Sequence, residues 1–85
     1  MTEDALFSLL QEAASLTMGR KLEGLTLDAH VAELGIDSVA LLEMVGIIED
    51  RIGRRLADDR IVQIKTVRDV LALVTSGDAE ELKPL

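Results

Sequence analysis

Apolar residues return every three or four positions in three stretches of this chain, a spacing that suits helices packed on one another and leaves little for a sheet. Leu6, Leu9, Leu10, Ala13 and Leu16 make the first stripe. It predicts a helix from about Glu3 to Met18, capped by Thr2, with Glu3 and Asp4 at the positive end of its dipole and Gly19 as its stop. Leu41, Met44, Val45, Ile48 and Ile52 make the second stripe, in a helix from about Ser38 to Ile52. Asp37 is its N-cap, Gly53 lies beyond it, and Arg51, Arg54 and Arg55 suit its negative end. Val67, Val70, Leu71 and Val74 make the third. That helix opens at Thr66, with Asp69 placed to close a capping box, and ends near residues 76–77. A short helix is expected over residues 58–62.

The connection over residues 19–37 is long for a small domain and needs anchoring of its own. Leu22, Leu25, Leu27, Val31 and Leu34 can pack it against the helices, with one helical turn over residues 28–33. Gly35 permits a tight backbone turn just before the second helix. The expectation is an all-α fold, a small four-helix bundle of three main helices, one short helix and a long first loop. It would form a single domain over residues 1–85, ordered over about 3–76, with 77–85 as a flexible tail.

Composition removes most catalytic classes. The chain has no cysteine and one histidine, so it lacks a thiolate nucleophile and a zinc-binding set. Phe7 is the single aromatic residue, which leaves no surface for stacking bases. Sixteen acids against nine bases give a net charge of −7, unfavourable for a phosphate backbone, so no nucleic-acid partner is expected. No apolar run approaches the ~20 residues of a membrane span, and Met1 leads into acids rather than a basic leader. A soluble, cytoplasmic, monomeric protein is the expectation.

Charge is unevenly spread. Residues 28–50 carry Asp28, Glu33, Asp37, Glu43, Glu49 and Asp50 without one Lys or Arg, a field that would steer a basic partner to the middle of the chain. On a wheel at roughly 100° per residue, Val39, Leu42, Glu43, Gly46 and Asp50 lie opposite the core stripe of the second helix, with Glu49 on its flank. Two apolar side chains among acids suit a docking surface, where charge guides encounter and apolar groups supply contact. Single exposed apolar residues are also common without a function. Gly46 costs ~1 kcal/mol relative to alanine in a helix interior and marks either a tolerated surface position or a point of close approach.

Ser38 opens this helix. Gly35-Ile36-Asp37-Ser38 taken alone reads as a turn followed by a cap. Nothing activates the serine: His30 is the chain's one histidine, a surface or loop residue eight positions upstream, and no Gly-x-Ser-x-Gly elbow is present. A serine hydrolase is therefore a poor reading.

From Glu33-Leu34-Gly35-Ile36-Asp37-Ser38-Val39, through Glu43, Glu49, Asp50 and Ile52, to Ile64-Lys65-Thr66-Val67, the sequence resembles the acyl carrier protein family. The order and spacing of these short motifs carry the resemblance over nearly the whole chain. It implies that a phosphopantetheinyl transferase moves 4′-phosphopantetheine from coenzyme A onto Ser38, beside the cap Asp37. The base and the magnesium would belong to the transferase, and the arm would bring the thiol that the chain lacks. The resemblance further implies a non-catalytic, stand-alone carrier of acyl thioesters in fatty acid, polyketide or related specialised biosynthesis. An acyl-loading enzyme would charge it, and a synthase or transferase with a basic patch would dock on Val39, Leu42, Glu43, Gly46, Glu49 and Asp50. Cargo sheltering between the helices would meet residues such as Met44 and Ile48.

Val39 stands where the family most often has Leu, Gly46 where a larger apolar residue is usual, Arg51 within a commonly acidic run, and Ala57-Asp58-Asp59 in place of a frequent proline-containing stretch. These departures point to a specialised carrier rather than the housekeeping one. An aminoacyl or D-alanyl carrier charged by an adenylating ligase, and a helical interaction module without a prosthetic group, stay open at this point.

Overall fold

The computed structural model describes residues 2–75. They form four helices: α1 (Glu3–Met18), α2 (Ser38–Ile52), the single-turn α3 (Asp58–Ile61) and α4 (Val67–Thr75). The expected all-α bundle with a long first loop is the observed one. Among the described residues the nearest thing to a strand is an isolated bridge between His30 and Thr66. The expected end of the last helix near residues 76–77 and the tail over 77–85 lie outside the described residues.

Local chemistry sets the helix ends. The Thr2 hydroxyl accepts the Ala5 N–H at 3.1 Å to cap α1. Gly19 ends that helix in the left-handed region at φ 70° and returns its N–H to the Ser15 carbonyl. At the start of α4, Asp69 accepts the Thr66 N–H at 3.0 Å while the Thr66 hydroxyl accepts the Asp69 N–H at 3.2 Å, closing the expected box. The short helix ends one residue earlier than expected, with Val62 as its C-cap.

The largest fully buried side chains are Leu6, Met44, Ile48 and Val67, so the core lies where α1, α2 and α4 converge. Leu56, Ile61 of α3 and Ile64 join the same buried cluster. No charged or polar residue is buried among those described.

Two expectations of the core are corrected. Leu16, placed in the α1 stripe, is 63% exposed, and Ala14 is buried instead. At roughly 100° per residue, the buried set Leu6, Leu9, Leu10, Ala13 and Ala14 centres about 70° from Leu9, leaving Leu16 about 90° from that centre. In α2, Leu41 and Ile52 are only partly buried, and Met44, Val45 and Ile48 carry the packing.

The long loop is stitched down by polar contacts as well as apolar ones. Gln11 grips the backbone of buried Leu22 from both sides, donating to its carbonyl at 2.9 Å and accepting its N–H at 2.8 Å. Farther on, the Val31 N–H donates to Lys65, the Val67 N–H to Ala29 and the Arg68 N–H to Leu27, which ties the loop to the entrance of α4. Asp28 pairs with Arg68 at 2.8 Å. These pairings hold residues 27–31 against α4, so the helical turn expected over 28–33 forms later, with Glu33 and Leu34 both donating to the His30 carbonyl.

Candidate functional site

That late turn delivers the chain to α2. Gly35 turns it at φ 82°, a conformation that favours glycine. Ile36 buries its side chain and donates its N–H to the Val31 carbonyl at 3.0 Å. Asp37 then takes an extended conformation, and its carboxylate accepts the Ala40 N–H at 2.8 Å as the cap of α2. Ser38, the first residue of the helix, is exposed.

Its hydroxyl has no hydrogen-bond partner among the described residues, and no side chain is set to take its proton. His30 is exposed in the loop, where its backbone forms the bridge to Thr66. Ser38 is thus reachable but unactivated. An anionic group esterified to it would sit at the positive end of the α2 dipole.

An open groove of about 380 Å³ begins at Ser38 and Asp37 and runs between the loop, α2 and α3. Val31, Ile36, Leu41, Leu42, Ile61, Val62 and Ile64 give it an apolar lining. Met44 and Ile48, the expected neighbours of a sheltered chain, are 1% exposed and packed in the core. Neither lines the groove beside Ser38.

On the outer side of α2, Val39 is 67% exposed and Leu42 57%. Glu43 and Asp50 are exposed without a hydrogen bond or ion pair among the described residues. Gly46 leaves open space above the helix, since a Cβ there would touch nothing within 4 Å. Glu49 behaves differently. Its side chain is 18% exposed, and its carboxylate accepts the Leu56 N–H at 2.8 Å with Arg55 at 3.9 Å, so it anchors the segment after α2.

The basic residues that follow are largely spoken for. Arg51 donates from Nε to Glu12 at 3.0 Å across the α1–α2 seam. That hydrogen bond holds the Glu12 carboxyl below its ordinary range and raises Arg51 above its own. Arg54 donates to the Val74 carbonyl. Sequence reasoning missed Leu16 as a surface residue. It borders a second concavity of about 880 Å³ with Glu43, Gly46, Ile47 and Asp50, and the α1 stripe gave no warning, since Leu16 lies about 20° from Leu9 on the wheel.

Among the described residues no cluster could hold a metal, and no helix is long and apolar enough to cross a membrane.

Residues 8–74 match the family described as phosphopantetheine attachment site. The chain is 36% identical over 80 residues to the actinorhodin polyketide synthase acyl carrier protein of Streptomyces coelicolor, covering 94% of this chain and 93% of that one. It is 40% identical over 80 residues to the granaticin polyketide synthase acyl carrier protein of Streptomyces violaceoruber, covering 94% of each. A crystal structure of an acyl carrier protein from Thermotoga maritima superposes with a TM-score of 0.79 at 32% identity, covering 86% of both chains.

Proposed function

The chain belongs to the acyl carrier protein family, whose members carry acyl groups on a covalently attached 4′-phosphopantetheine and are not catalysts, and we propose that Ser38 is the residue that bears this arm here. The carrying observation is an exposed, unpartnered hydroxyl at the first position of α2, beside its cap and at the mouth of an apolar groove. These residues fit the group: the hydroxyl is open to a modifying enzyme, and the groove offers apolar surface next to it. When bound, the arm supplies the terminal thiol for thioester carriage, which a chain without cysteine cannot provide itself.

In the arming step the Ser38 Oγ attacks the phosphorus that bears the pantetheine arm of coenzyme A. An oxygen–phosphorus bond forms, the pyrophosphate bond breaks, and adenosine 3′,5′-bisphosphate leaves. The serine proton passes to a base of the phosphopantetheinyl transferase. Asp37 fixes the helix end and thereby the direction of Ser38.

The family works with synthases and transferases. Their docking face on this chain is α2, where Glu43 and Asp50 steer a basic patch and Val39 and Leu42 supply contact around the space left by Gly46. Exposed ion pairs contribute ~0–1 kcal/mol each, which suits brief visits to several enzymes. The cargo belongs to polyketide-type assembly, a reading supported by the actinorhodin and granaticin relatives. One carrier domain accounts for the described bundle.

Incubation of the apo-protein with coenzyme A and a broad-specificity transferase is expected to add the mass of one phosphopantetheine, and Ser38→Ala to add none. A folded wild type that several transferases leave unmodified would overturn the reading. Charging of the armed protein by an adenylating ligase, with refusal of acyl and malonyl donors, would replace the polyketide assignment with an aminoacyl one.

A further inference from the structure

Arg20 precedes α2 by 18 residues in sequence, yet its guanidinium sits on the turn that leads into Ser38. Nη2 donates to the Leu34 carbonyl at 2.8 Å, and Nη1 reaches the Lys21 carbonyl at 3.4 Å. Glu23 and Glu33 border the same hollow, but Arg20 makes no ion pair among the described residues. A cation offered nearby carboxylates and held instead on a carbonyl is serving the backbone. The carbonyl it holds immediately precedes Gly35, and the guanidinium lies against that glycine so closely that a Cβ there would collide with it. Gly35 is favoured by its φ of 82°, and a Cβ there would push the Arg20 guanidinium, the far end of a flexible side chain, off the turn.

We propose that Arg20 is a positioning residue for the attachment serine: it clasps the Leu34–Gly35 turn from outside, while the buried Ile36 side chain holds the next residue from inside, so that Asp37 and Ser38 are presented in one orientation. The proposal rests on Ser38 as the attachment point. Its physical content is preorganisation. Without the clasp, α2 and its acidic docking face persist, because Asp37 still caps the helix and Met44, Val45 and Ile48 still pack. What loosens is the three-residue lead into Ser38.

The measurement is steady-state transfer from coenzyme A to the apo-protein by one transferase, with the protein as varied substrate. Arg20→Ala is expected to lower kcat by about three- to tenfold, the range that one hydrogen bond commands, with KM unchanged. Arg20→Lys, which keeps a cationic head able to donate to the Leu34 carbonyl, should recover most of the loss. A purely structural role gives the opposite split, because partial unfolding dilutes the competent substrate and raises apparent KM at constant kcat. Amide exchange should quicken at Gly35 and Ile36 and stay unchanged at Met44 and Ile48. Gly35→Ala should cost less kcat in the Arg20→Ala background than alone, since the collision is gone and only the backbone strain remains.

A KM effect alone, or wild-type kinetics in Arg20→Ala, would overturn the proposal and leave Ser38 in place. A wild type that accepts no arm would overturn the attachment reading, and this proposal with it.

Discussion

Ser38 and Asp69 stand at the starts of two helices and show what one side chain settles. Asp69 accepts the N–H groups of Lys65 and Thr66, and those bonds hold its carboxyl below its ordinary range. A carboxyl depressed in the folded state stabilises the fold above its unfolded pKa and loses that contribution as pH falls through the folded one. Asp69 should therefore stabilise the bundle at neutral pH and lose that contribution as the pH falls below about 4. Asp69→Ala is expected to cost ~1 kcal/mol at pH 7, as cap removals do. Asp69→Asn should flatten the acid limb of stability against pH, followed by urea denaturation at a series of pH values. An unchanged acid limb would show that the carboxyl does not act through its charge. Among the described residues Ser38 makes no such bond, which suits the modification proposed for it.

At the scale of the element, α2 divides its acids between two tasks. Glu43 and Asp50 project into solvent, whereas Glu49 turns back to hold Leu56. Glu43→Lys with Asp50→Lys should slow modification by the transferase at low salt without lowering the melting temperature, and the difference should shrink as salt screens the field. Glu49→Gln should instead cost ~1–2 kcal/mol of stability, because it weakens a charge-assisted hydrogen bond, and leave the salt dependence of modification intact. Equal rates for the Glu43/Asp50 pair and wild type at low salt would remove the steering argument. The contrast also marks what a sequence discloses. Caps at Thr2, Asp37 and Thr66 were legible because donor and acceptor lie within one turn. Glu49 reads as a docking acid because its partner depends on how the chain folds back after Gly53. Gln11 on Leu22 and Arg20 on Leu34 join residues 11 and 14 positions apart through a loop with no period, and were invisible for that reason. Leu16 was misplaced because small alanines widen the buried face of α1 toward Ala14.

For the molecule as a whole, one shared core must hold four helices and a long loop in a chain of 85 residues. Total stability of ~5–10 kcal/mol is the usual range for such a domain. Ile48→Ala, at the point where the helices meet, should remove ~2–5 kcal/mol of it, read as a lower denaturation midpoint with little change in slope. A loss below ~1 kcal/mol would mean that Ile48 is not central to the packing. The same compactness leaves the chemistry to its partners: this chain offers a rigid helix start, a field and a groove, and borrows its reactive group. The four serines, Ser8, Ser15, Ser38 and Ser76, make the claim testable by fragment mass spectrometry of the armed protein. The account predicts that every modified fragment assigns the phosphopantetheine to Ser38, and an arm found on Ser8, Ser15 or Ser76 would contradict it.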